Sequence, residues 1–146
     1  MMKAELTANG INVLVNENIR LRRYDDSIVL AGVDDMLVKL DDMKAALADT
    51  SRDETRILLA HNPALIREAA KAGVDLMLSG HTHGGQICLP GGVPITLDSD
   101  LPRSLGRGAW RHGGMQGYTS VGAGSSVVAV RLNCAPEITL HPLQRA

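Results

Sequence analysis

Two short apolar runs, each leading to a histidine, constrain this chain more than any other feature of its sequence. Arg56-Ile57-Leu58-Leu59-Ala60 stops at His61, and Val74–Leu78 leads through Ser79-Gly80 to His81. Between them, Asn62 reads as a helix N-cap and Pro63 as the first helical residue of a helix running to Ala72-Gly73. Strand, helix, strand in this rhythm is a βαβ unit with parallel strands. Open α/β sheets gather their ligands at the carboxyl ends of such strands. His61 and His81 are therefore predicted to meet in space although the helix separates them in sequence.

The remaining elements follow the same alternation. Residues 2–9 read as a helix stopped by Asn9-Gly10, and residues 11–15 and 27–33 read as strands. Asp34 or Asp35 caps a predicted helix over about 36–48, with Met36, Leu37, Leu40, Met43 and Leu47 at helical spacing and an acidic face of Asp35, Asp41 and Asp42. After residue 84, Gly and Pro punctuate short β-like runs. Val127–Leu132 and Glu137–His141 are the clearest strands there, and a hairpin is expected around Arg111-His112-Gly113-Gly114. The expected class is α/β, a βαβ front followed by antiparallel β.

Composition narrows the partners. The 146 residues make a chain of single-domain size, with 45% hydrophobic and 21% charged residues. There is no Phe, one Trp and two Tyr, so the core has to be built from aliphatic side chains and Met. The net charge of −1 argues against nucleic acid as the main partner, a local patch of Arg103, Arg107 and Arg111 notwithstanding. Cys88 and Cys134 fit no disulfide framework or zinc spacing and read as reduced thiols or small apolar fillers. No apolar run is long enough to span a bilayer and no signal peptide is evident, so the chain as it stands reads as cytoplasmic.

His81-Thr82-His83 sits among Gly80, Gly84 and Gly85, which permit a tight, left-handed backbone. A loop of this kind can aim two imidazoles at two different ions, and imidazole suits Zn, Fe and Ni. A lone histidine at a strand end is ordinarily structural. His61, His81 and His83 together, at the ends of successive strands, make a metal-ligand set. From the residues alone, the chain is a metal hydrolase fragment or a metal-binding domain.

Leu59-Ala60-His61-Asn62-Pro63, followed by Leu78-Ser79-Gly80-His81-Thr82-His83-Gly84-Gly85-Gln86, resembles the last two motifs of the calcineurin-like metallophosphoesterases. Tyr118–Ser126 and Arg131–Glu137 resemble the C-terminal end of a bacterial branch related to membrane-associated phosphodiesterases acting on phospholipid-like substrates. The resemblance covers nearly the whole chain and implies the C-terminal portion of a four-layer αββα sandwich. It implies a binuclear site, with His61 and His81 on one divalent ion and His83 on the other, the ions being Mn, Fe, Zn or similar. The family's Asp-x-His, Gly-Asp-x-x-Asp and Gly-Asn-His motifs occur nowhere in the sequence. The expectation is one partial domain over 1–146 that starts late, binds at most one metal well and is inactive or weakly active in phosphodiester hydrolysis. The alternative is a non-catalytic, metal-binding or partner-completing module. Asn62, Gly84 and Gly85 are candidates for phosphate or loop support. Membrane-surface association of the parent and self-association through an open sheet face are the further partner expectations.

The other polar candidates have plainer readings. Asp34 and Asp35 read as helix caps, His112 as a surface residue of a hairpin, and His141 carries no signal. Gly122–Ser126 could present backbone N–H groups to a phosphate or form a plain turn.

Overall fold

A helix, α1 (Met2–Ala8), stops at Gly10, whose φ of +77° is the left-handed conformation that ends helices. The structure, a computed structural model, describes residues 2–97 and 101–144. Residues 11–15 form no strand, contrary to their alternating pattern. Leu14 instead crosses over Gly32, where a Cβ would collide with the Leu14 Cβ and carbonyl. The first strand is β1 (Glu17–Arg23), in which Ile19 and Leu21 alternate with Arg20 and Arg22. Such charged alternation suits a sheet edge.

Next come β2 (Asp26–Gly32), β3 (Arg56–Leu59), β4 (Leu76–Ser79), β5 (Cys88–Leu89), β6 (Val93–Pro94), β7 (Gly108–His112) and β8 (Met115–Thr119). Six of them make one sheet in the order β1-β2-β3-β4-β8-β7, and β5 and β6 pair separately. The four inner strands are parallel, and the edge strands β1 and β7 run antiparallel to their neighbours. The predicted βαβ unit is thus β3, helix α3 (Ile66–Ala72) and β4, with Gly73 at φ +80° closing the helix. The predicted hairpin is β7–β8, turning at Gly113-Gly114. It does not start a separate antiparallel region, because β8 joins the main sheet parallel to β4.

The predicted helix over 36–48 is broken in two. A 3₁₀ turn (Met36–Val38) is capped by Asp35 and ends at Lys39 with φ +59°, and α2 (Met43–Ala46) starts afresh with Asp42 as its cap. The Asn16 side chain fixes the break. Its amide donates to the Leu40 carbonyl at 2.7 Å and its oxygen accepts from the Asp34 and Asp42 N–H groups. Val127–Leu132 and Glu137–His141 are not strands either. Among the described residues their one ladder contact is the parallel bridge between Leu132 and Ile87, and Val127 adopts φ +64°. Extended segments need a partner edge along their length for their backbone groups, and among the described residues these meet one only at Leu132.

Register decides the core. Ala31, Leu58 and Met77 line up across β2, β3 and β4 on one face. They pack against Met43 and Ala46 of α2, Ile66 and Ala69 of α3, and Trp110. The fully buried Leu58 alone contributes about 2 kcal/mol by area removed from water. Trp110 lies over Gly117, where any side chain would collide with the indole, and its Nε1–H donates to Thr119 Oγ1 at 2.9 Å. The opposite face carries Leu30, Ile57, Leu76, Leu59 and Leu78, and Leu59 remains 37% exposed. Neither helix of the βαβ region covers that face.

Candidate metal centre

The β3–β4 ladder continues past both strands. Ala60 N–H donates to the Leu78 carbonyl at 3.1 Å, and Gly80 N–H to the His61 carbonyl at 3.0 Å. This extra rung holds the two carboxyl ends together and sets His61 beside His81. His81 Nδ1 lies 3.4 Å from His61 Nε2, with the rings edge to face at 5.2 Å between centroids. His61 is exposed and His81 half-buried, so the pair faces solvent at the end of the sheet. His61 also borders a groove of about 600 Å³ on the open apolar face, walled by Leu14, Leu30, Leu59 and Leu78.

The loop after β4 is tightly wound. Thr82 N–H bonds back to the Gly80 carbonyl at 2.8 Å, a γ-turn centred on His81 at φ +69°. Ile87 N–H bonds to the Gly85 carbonyl around Gln86 at φ +54°. His83 is also left-handed, at φ +49°. Three non-glycine residues in this region within six positions are costly, and such strain concentrates at functional sites. The surroundings fix it. The buried Thr82 hydroxyl donates to the Gly106 carbonyl at 2.6 Å and accepts from Gly84 N–H. Gln86 donates to the Ser126 and Val128 carbonyls and accepts from Ser126 N–H at 2.7 Å.

His83 points elsewhere than the other two. Its Nδ1 lies 3.5 Å from Nη2 of Arg131, whose guanidinium also donates to the carbonyls of Val121, Gly122 and Gly124. The structure therefore brings together two of the three predicted histidines and directs the third to Arg131. Among the described residues, no group of three His, Cys, Asp or Glu side chains is placed to hold a metal ion. The donor pair itself fits one. Two imidazole nitrogens each about 2.0–2.1 Å from a tetrahedral ion stand roughly 3.4 Å apart, which is the separation of His61 Nε2 and His81 Nδ1.

The other candidates resolve into structural roles. The Asn62 side chain accepts from Ala64 N–H at 2.9 Å as a helix cap. Gly84 and Gly85 have φ of +62° and +83°, and a Cβ on either would strike Val121 or Pro94. Asp35 caps the 3₁₀ turn and Asp34 accepts from Asp35 N–H. In the Gly122–Ser126 segment, the N–H groups of Gly122 and Ser126 are taken by Ser120 Oγ and Gln86. His112 ends β7, and His141 stacks edge-on against Tyr118 at 4.9 Å. Arg107 is spent on the Gly92 carbonyl. Spacing gave no hint of Arg131, because its partners are backbone carbonyls that only the fold assembles.

Relatives share this sequence almost end to end. The uncharacterised metallophosphoesterase YkuE of Bacillus subtilis is 34% identical over 97% of the chain, which corresponds to 50% of the relative. The phosphodiesterase YaeI of Escherichia coli is 34% identical over 94% of the chain and 49% of its own length. A transmembrane protein with a metallophosphoesterase domain from Bos taurus is 34% identical over 98% of the chain and 35% of its own length. The chain spans about half the length, or less, of the curated relatives it matches. No family model matches the chain, nor does any solved structure at a significant level.

Proposed function

The chain belongs to the metallophosphoesterase family, and from that premise we propose that it carries part of the metal centre of a phosphodiester hydrolase. The observation that carries this reading is the 3.4 Å approach of His61 Nε2 to His81 Nδ1 at the ends of two parallel strands. These two imidazoles would hold one divalent ion, and His83, across the same loop, would serve a second. Ions of the Mn, Fe or Zn class, when bound, supply Lewis-acid chemistry at a phosphoryl group. The chain's own work is to position the donors. The Gly80–His61 rung sets the first pair, the γ-turn aims His81, and Arg131 restrains His83.

The Asp-x-His, Gly-Asp-x-x-Asp and Gly-Asn-His motifs are absent from this sequence. We read the chain as one partial domain whose remaining ligands come from another stretch of polypeptide, so that alone it turns over phosphodiesters at or near background. Leu59 supports this, being 37% exposed on the face away from α2 and α3, since parallel strands of βαβ units are normally buried on both sides. So do Ile138 and Leu140, which alternate with Thr139 and are almost fully exposed. The same surface would drive self-association in the absence of a covering layer. No helix among the described residues is long and apolar enough to cross a membrane. A membrane-surface role and a phospholipid-like substrate belong to the proposal for the whole protein, in keeping with the transmembrane relative.

Hydrolysis of a bis-nitrophenyl phosphodiester with added Mn²⁺ tests the reading. The chain alone should be at background. Mixing it with a polypeptide that carries the three absent motifs should produce turnover that is lost with His81→Ala. Metal-dependent turnover by the chain alone at the level of a full-length relative would contradict the partial-site reading.

A further inference from the structure

We propose that Cys88 and Cys134 form a reversible dithiol–disulfide pair beneath the loop that carries His81 and His83, oxidised by a small-molecule disulfide. Both thiols are free, and they are buried in one small cluster with Val121. They converge on one acceptor. Cys88 Sγ lies 3.3 Å and Cys134 Sγ 3.8 Å from the Gly84 carbonyl oxygen, and Cys134 Sγ is also 3.4 Å from that of His83. The backbone sets this arrangement. Cys88 N–H donates to the Leu132 carbonyl at 2.8 Å, Asn133 Nδ2 donates to the Cys88 carbonyl at 3.0 Å, and Ile87 bridges Leu132 in parallel. The Ile87–Leu132 bridge brings the two segments alongside each other, and both sulfurs reach the same Gly84 carbonyl oxygen.

The two sulfurs belong to segments of unequal hold. Cys88 lies in β5, whereas Cys134 follows a stretch held by the side chains of Gln86 and Arg131 and by the single bridge at Leu132. Opening of that stretch exposes Cys134 first. Its thiolate attacks the small disulfide, forms a mixed disulfide and releases one small thiol. Cys88, after loss of its proton, displaces the second small thiol and closes the Cys88–Cys134 bond. In balance, two protein thiols and one small disulfide become one protein disulfide and two small thiols. The crosslink would enclose residues 88–134 and grip Gly84 from both sides, locking the histidine loop to the C-terminal stretch.

The test is to incubate the purified chain with oxidised glutathione, trap the products and map them by mass spectrometry, with thermal unfolding alongside. The expected result is an intramolecular Cys88–Cys134 crosslink as the main product and a melting temperature raised by about 5–10 °C, both reversed by dithiothreitol. Cys88→Ser, or Cys88→Ala should the serine variant fold poorly, and Cys134→Ser should each carry glutathione on the remaining cysteine and form no crosslink. Unreacted thiols, glutathione on both cysteines without a crosslink, or a crosslink that forms only in urea would overturn the proposal.

Discussion

Nη2 of Arg131 stands 3.5 Å from Nδ1 of His83, while the same guanidinium gathers the carbonyls of Val121, Gly122 and Gly124. One side chain thus joins the histidine loop to a stretch that has no ladder of its own. Lysine presents a single ammonium and cannot reproduce the fork. Arg131→Lys should therefore cost about 2 kcal/mol in stability. Hydrogen exchange should quicken across residues 120–134 and stay unchanged in β3 and β4. Uniform loss of protection across the sheet would show that Arg131 supports the whole fold instead.

Gly84 and Gly85 combine a left-handed backbone with no room for a side chain. Gly84→Ala should cost about 2–4 kcal/mol, the sum of strain at positive φ and overpacking against Val121 and Cys134. Gly113 is also left-handed but faces open space. Gly113→Ala should cost only about 1 kcal/mol. Denaturant unfolding of the two variants checks the difference, and equal losses would remove packing as the cause.

The Arg20 side chain, donating to Glu54 from Nε at 2.7 Å, together with the Ser51 N–H, holds the Glu54 carboxyl at about 2 against an ordinary 4.5. A depressed carboxyl stabilises the fold above its ordinary value and loses that contribution as pH falls through the folded one. The melting temperature should fall between about pH 4.5 and 2. In Glu54→Gln it should start lower at neutral pH and fall less over that window. Parallel curves for the two proteins would mean that the pair contributes nothing.

The βαβ unit was legible because its signals agree at every level. Arg56–Ala60 is apolar and short, Asn62-Pro63 caps and opens a helix, and Gly73 ends it in the left-handed form. His61 and His81 followed from that unit, since parallel neighbours end side by side. The helix over 36–48 failed because its periodicity ignores Asn16, a distant side chain that satisfies the backbone at a break. The strand over 11–15 failed because its alternation is used to cross a sheet face at Gly32 rather than to pair at an edge. Val127–Leu132 has strand-like residues but, among the described residues, bridges a neighbour only at Leu132, and pattern alone cannot supply a longer partner. The link from His83 to Arg131 was hidden for a related reason. Their approach depends on the path of a segment that no local signal describes.

Equilibrium dialysis of the chain against Mn²⁺ or Zn²⁺ is the most direct test of the claim that His61 and His81 form half of a metal centre. The account predicts at most one ion bound well per chain. Uptake should be mostly lost in His61→Ala and in His81→Ala, and near normal in His112→Ala. Uptake that survives both His61→Ala and His81→Ala would contradict it.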